Sequence, residues 1–235
     1  MKNIIIASTS TIHGSGYLDY ILDDLKTFFK NANTILFIPY ARPSGISHDD
    51  YTKIVSEAFS EIDKKIKGVH EFENPIEAIK NADAIFVGGG NTFVLTYQLY
   101  KNNLIDALKT AINNGTPYLG TSAGSNICGL TIKTTNDMPI VYPPSFNALA
   151  LVPFNINPHY LDPVSGTKHM GETRETRIKE FHNFNTQPVI GLREGSWLKV
   201  KSGSIVLKGT LTARIFEYNK TPYEVESGTE LNTLK

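Results

Sequence analysis

In the stretch PYLGTSAGSNICG, residues 117–129, a short β-prone run from Tyr118 to Thr121 gives way to a turn of small residues in which Ser122 stands between Gly120 and Gly124. A strand that ends on such a turn and continues as a helix is a building unit of α/β sheets. The same order recurs at 83–91, where the apolar run DAIFV passes directly into GGGN. The fold therefore turns on whether the flanking sequence alternates in the same way.

It does. NIIIAS (3–8) and TILFIPY (34–40) are runs of the kind buried on both faces of a parallel sheet. Between them Leu18, Ile21, Leu22, Leu25, Phe28 and Phe29 recur at helical spacing, and Tyr51, Ile54, Val55, Ala58, Phe59 and Ile62 repeat the pattern. Asn74-Pro75-Ile76-Glu77 reads as a helix start, with Asn74 as cap, Pro75 as first helical residue and Glu77 as reciprocal capping partner. Leu104, Ile105, Leu108 and Ile112 form a further stripe that ends at Asn114-Gly115. This alternation predicts an α/β fold with an open, mostly parallel sheet and helices on both faces, in one domain spanning residues 1–235. The last third differs: SWLKVKSGSIVLKG (196–209) predicts a β-hairpin turning at Ser202-Gly203, and TARIFEY (212–218) a further strand.

Composition narrows the function classes. Of 235 residues 40% are hydrophobic and 20% charged, as in globular proteins, and 23 Lys+Arg balance 23 Asp+Glu. No global field recruits nucleic acid or an anionic membrane. No stretch approaches the roughly 20 apolar residues of a membrane span, and the N-terminal apolar run is too short for a signal-peptide core. The single cysteine, Cys128, cannot form an internal disulfide and reads as a small buried apolar residue; this predicts a cytoplasmic protein.

Both glycine-rich turns fall at the carboxyl ends of predicted strands, where active sites of open α/β sheets gather. Gly120-Thr121-Ser122-Ala123-Gly124 matches Gly-x-Ser-x-Gly, a strained elbow that raises a serine and leaves the following amide, here Ala123 N–H, free for an oxyanion. GGGN serves either close helix–strand packing or an anion cradle. With no Gly-x-Gly-x-x-Gly after the first strand and no Gly-Lys-Ser/Thr, a nucleotide phosphate site is set aside. A serine nucleophile needs a base. His159, in the extended segment FNINPHYLDP, is one candidate and His169, in TKHMGETR, its rival; His13, His48, His70 and His182 follow no pattern, and no spacing resembles a metal site. The acid that orients the imidazole is either Asp137, in TTNDMPIV, or Glu194, which follows the strand-like VIGL.

FVGGGNTF, GTSAGSN, TTNDMPIV, INPHY, GETRETR and IGLREGSW, in this order from Phe86 to Trp197, together resemble the peptidase E family of aspartyl dipeptidases, serine peptidases grouped with the cyanophycinases. The resemblance implies a flavodoxin-like α/β fold similar to class I glutamine amidotransferases, with serine replacing their cysteine. It implies hydrolysis of dipeptides with N-terminal aspartate, without metal or cofactor. By position Ser122 becomes the nucleophile and His159 the base, while the third member falls on Asp137 or Glu194, with Glu194 preferred for its place after a strand. Gly89, Gly90 and Ala123 would supply the oxyanion amides, and Asn91 would contact substrate. An aspartyl side chain calls for a fixed cation, for which GETRETR offers Arg174 and Arg177; Arg174 is preferred. SGTKHM (165–170) is a candidate flap, and the extra proline and serine in YPPSFNAL leave substrate breadth open. The expected partner is a small peptide, with monomer and homodimer both open. The rival readings are a cyanophycinase-like peptidase, an esterase on an α/β-hydrolase fold, and a non-catalytic module that binds acidic small molecules.

Overall fold

The computed structural model describes residues 1–163 and 171–234. In chain order the elements are β1 (Asn3–Ala7), α1 (Leu22–Phe28), β2 (Thr34–Ile38), α2 (His48–Ser60), β3 (Lys65–Gly68), α3 (Pro75–Lys80), β4 (Ala84–Val87), α4 (Thr92–Lys101), α5 (Ile105–Asn113), β5 (Tyr118–Thr121) and α6 (Ala123–Asn126). They continue with β6 (Asn155–Pro158), α7 (Arg174–Phe181), β7 (Val189–Leu192), β8 (Ser196–Lys201), β9 (Ser204–Gly209), β10 (Ala213–Phe216) and β11 (Tyr223–Val225).

Seven strands form one sheet in the order β3-β2-β4-β5-β1-β8-β9. Its first five are mutually parallel, and the β8–β9 hairpin joins antiparallel through β1. The period-two alternation of each buried strand divides its side chains between two cores. Ile4, Ile6, Leu36, Ile38, Ile85 and Val87 face one side, where α3 to α6 pack through Ile79, Leu95, Leu99, Leu108, Ile112 and Ala123. Ile5, Ala7, Ile35, Phe37, Ala84 and Phe86 face the other, against Leu25 of α1 and Tyr51, Val55 and Phe59 of α2. The expected mostly parallel sheet with helices on both faces is present.

Three local expectations are revised. The first helix starts at Leu22 rather than Leu18, because Leu18 adopts a left-handed conformation (φ 64) and a 3-10 turn, Asp19–Ile21, intervenes. Asn74 caps α3 by accepting the Glu77 N–H, but the Glu77 carboxylate pairs with Lys80 instead of closing a reciprocal box. The region after the first half is more than a hairpin: β6, β7, β10 and β11 make a second sheet of order β11-β10-β7-β6, in which β6 and β7 run parallel. Ile156, Ile190, Leu192, Ala213 and Ile215 join this sheet to the α3–α6 side of the main core. Among the described residues no helix is long and apolar enough to cross a membrane.

The ends of β4 and β5 approach closely. A Cβ on Gly124 would lie 2.2 Å from the carbonyl oxygen of Val87, and one on Gly120 2.4 Å from that of Gly124. Backbone cannot yield as a flexible side chain can, so Gly124→Ala is expected to cost about 1–3 kcal/mol or more and to lower the unfolding midpoint by roughly 2–4 °C per kcal/mol. Gly14→Asn, at a left-handed turn with open space around it, is the matched control and should change little. Thermal unfolding followed by circular dichroism compares the two; equal midpoints would count against this packing argument.

Candidate active site

The carboxyl ends of β1, β4, β5, β6 and β7 converge where the two sheets meet. Ser122 follows β5 immediately and takes φ 53, ψ −110, a strained conformation that few L-residues adopt. Its N–H donates to Ala7 O (3.2 Å), and its carbonyl accepts from Ser125 and Asn126, so the elbow is fixed on both sides.

His159 follows β6 and is likewise left-handed, with φ 53. Its N–H donates to the hydroxyl oxygen of Ser8 (2.9 Å), while the Ser8 hydroxyl donates to Leu192 O (2.7 Å), two residues before Glu194. Ser8 thus clamps the strand ends that carry His159 and Glu194. The side chains form a continuous chain: Ser122 Oγ lies 2.9 Å from His159 Nε2, and His159 Nδ1 lies 2.6 Å from Glu194 Oε1. With Nδ1 protonated toward the carboxylate, Nε2 is the acceptor that faces the serine hydroxyl.

Arg193 reinforces this frame. Its guanidinium donates to both oxygens of Asp162 (2.8 Å each), to Glu224 (2.9 Å) and to Thr212 O (2.9 Å), and stacks over the Tyr160 ring. The segment following His159 is thereby tied to the residue preceding Glu194. These hydrogen bonds to Asp162 and Glu224 raise the Arg193 pKa above its ordinary value.

Asp137, the other candidate acid, makes no hydrogen bond to the imidazole. Its Oδ2 accepts the N–H of Thr92 (2.7 Å) and the Thr135 hydroxyl (3.0 Å), which seats the carboxylate at the N-terminus of α4. Of the two candidate acids, Glu194 meets the imidazole and Asp137 sits at this helix cap. The three expected oxyanion amides differ in their surroundings. Gly89 N–H already donates to the Tyr51 hydroxyl (3.1 Å), whereas Gly90 and Ala123 N–H have no hydrogen-bond acceptor among the described residues. Asn91 caps α4 by accepting the Val94 N–H and donates to Met138 O (2.9 Å), so both ends of its amide are engaged within the protein.

Arg174 opens α7 beside a small cavity lined also by Thr135, Asn136, Asn157, Ile178 and Phe181. Burial and then neighbouring Arg177 lower its pKa from the ordinary value, and Asp137 opposes them. Arg177 is paired with Glu172 (3.6 Å), while Arg174 has no ion pair among the described residues. Cys128 is fully buried, which pushes its thiol up to about 12 and leaves it inert. His169 and the candidate flap SGTKHM lie outside the described residues. The sequence reading placed Ser8 in a strand and Tyr51 in a helix but missed their parts in the site. The one available signal was the Ser-Thr-Ser cluster at the carboxyl end of β1.

A family model described as Peptidase family S51 matches residues 4–208. A Streptomyces coelicolor protein named Peptidase E is 47% identical over 232 residues, covering 99% of this chain and 94% of its own. A Drosophila melanogaster protein named "Probable alpha-aspartyl dipeptidase" is 47% identical over 219 residues, covering 92% and 90%. Among solved structures, a peptidase from an acI-B1 Actinobacterium superposes with a TM-score of 0.73 at 14% identity, covering 98% of this chain and 96% of that one.

Ser8→Ala leaves the partly buried His159 N–H without its acceptor, while Leu192 O loses one of two donors and keeps the N–H of Tyr160, at a cost of about 1–3 kcal/mol. The variant should still fold, yet its Ser122 should react with a fluorophosphonate probe roughly 10–100-fold more slowly, because the imidazole loses its fixed position. Stopped-flow labelling measures this, and an unchanged rate would show that Ser8 does not position the histidine.

Proposed function

The chain belongs to peptidase family S51, and on that footing we propose that it is a serine-type dipeptidase that hydrolyses dipeptides with N-terminal aspartate. The observation that carries the reading is the unbroken hydrogen-bonded chain Ser122–His159–Glu194 at the meeting point of two sheets. The name of the Drosophila relative supports the substrate class, and that of the Streptomyces relative supports a peptidase.

In this reading the Ser122 hydroxyl gives its proton to His159 Nε2 as Oγ attacks the peptide carbonyl carbon. Glu194 holds the imidazole by Nδ1 and stabilises the imidazolium that forms. The amides of Ala123 and Gly90 receive the developing oxyanion, each worth about 2.7–4 kcal/mol of barrier in comparable sites. His159 then protonates the leaving amine, the C–N bond breaks, and water activated by the same imidazole clears the acyl-serine. Arg174, cationic and without an ion pair among the described residues, receives the aspartyl carboxylate, for which a guanidinium offers two parallel donors. We place the enzyme in the cytoplasm on the strength of its lone, buried thiol.

The purified protein should cleave Asp-Leu and leave Glu-Leu, Asn-Leu, Ala-Leu and N-acetyl-Asp-Leu essentially intact. Ser122→Ala and Glu194→Gln should lower kcat by roughly 10⁴-fold or more, measured by chromatographic product release. Failure of the wild-type protein to hydrolyse any of these dipeptides would overturn the assignment, and full activity in Ser122→Ala would overturn the nucleophile.

A further inference from the structure

An aspartyl dipeptide presents three groups at the scissile end: the carbonyl, the side-chain carboxylate and the α-ammonium. The proposed site accounts for the first two. We propose that Asp137 receives the free α-ammonium group and so enforces the requirement for an unblocked amino terminus. This inference rests on the dipeptidase reading and names a specificity residue within the same site.

The segment that carries Asp137 is pinned from both sides of the reacting centre. Asn136 Nδ2 donates to Pro158 O (2.7 Å), the residue before His159, and Asn157 Nδ2 donates to Asn136 Oδ1 (2.7 Å). On the other side Asn91 Nδ2, one residue past Gly90, donates to Met138 O (2.9 Å). Asp137 is therefore held between the strand end of the proposed base and the proposed oxyanion turn. Its Oδ2 is committed to Thr92 and Thr135, while its Oδ1 has no hydrogen-bond partner among the described residues and its side chain is partly open to solvent.

The charge arrangement agrees. Asp137 raises the Arg174 pKa against the larger lowering effects of burial and Arg177, so an anion lies near that cation. The aspartyl residue carries the complementary pair, an ammonium on Cα and a carboxylate one carbon farther along. An ammonium drawn into a partly buried cleft needs a carboxylate partner, since desolvation without one is costly. A purely structural role as the cap of α4 requires an acceptor oxygen but no charge, and asparagine supplies that oxygen equally well.

Asp137→Asn separates the two roles. Isothermal calorimetry with L-aspartate and with succinate, which is aspartate without its amino group, reads the ammonium contribution directly. Wild-type protein should bind aspartate roughly tenfold or more tightly than succinate. In Asp137→Asn the aspartate affinity should fall by a similar factor while succinate is unchanged or improved, so the ratio approaches one; Asp137→Glu should restore part of it. Asp137→Ser, which also caps without charge, serves if Asp137→Asn does not fold. A ratio preserved in the variant, equal binding of the two ligands by wild type, or binding of neither would each overturn the proposal. Because no turnover is involved, an aspartate preference that depends on Asp137 would support it even in a protein that cleaves no dipeptide, the outcome that overturns the peptidase reading alone.

Discussion

Ala7 and Ser8, consecutive residues at the carboxyl end of β1, hold the reacting groups in register. Ala7 O accepts the N–H of Ser122 and the hydroxyl of Ser125; the Ser8 hydroxyl joins His159 N–H to Leu192 O; and Ser8 N–H donates to Ser196 O. Ser122 and His159 both occupy left-handed backbone conformations, each costing about 1–3 kcal/mol, and the N–H of each is tied to this one dipeptide. Strain of that kind persists only where the surroundings over-determine it. Here the surroundings are a fully buried strand tip flanked by β5 on one side and β8 on the other.

The two sheets divide the work. The parallel main sheet presents the serine, because a strand-to-helix turn at its carboxyl edge can be made tight with Gly120 and Gly124. The second sheet presents the imidazole and carboxylate, because β6 and β7 are parallel neighbours with Pro158 paired to Leu192, so the residues that follow them emerge side by side. Parallel pairing is thus what brings His159 and Glu194 together from 35 residues apart. Arg193 stabilises the join by linking Asp162 beyond His159 to Glu224 of β11, converting two loop ends into one charged, hydrogen-bonded unit.

Local periodicity made much of the main sheet legible. The buried runs 3–8, 34–40 and 83–87 and the stripe at Leu104–Ile112 are structured as their patterns require, and the Ser202-Gly203 turn lies where the hairpin pattern put it. Of the second sheet, VIGL and TARIFEY were legible as strands, but NINP and the pairing of these short strands were not, because that pairing is set by tertiary packing rather than by any local signal. Leu18 shows the same limit on a smaller scale. It keeps its place in the core, with no exposure, while its backbone leaves the helix.

The site residues were legible as types and not as partners. Asp137 and Glu194 are both carboxylates near strand ends, and sequence assigns either one to the histidine. Their environments separate them. Asp137 follows Thr135 in a turn that reaches the open N–H of Thr92, where a backbone donor and the Thr135 hydroxyl hold one carboxylate oxygen. Glu194 follows a strand whose parallel neighbour ends one residue before the imidazole, so its side chain meets Nδ1 directly. The glycine turn divides in the same way: Tyr51, reaching over from α2, takes the amide of Gly89 and leaves that of Gly90 open. In both cases the deciding partner lies more than 30 residues away in the chain, beyond the reach of any motif.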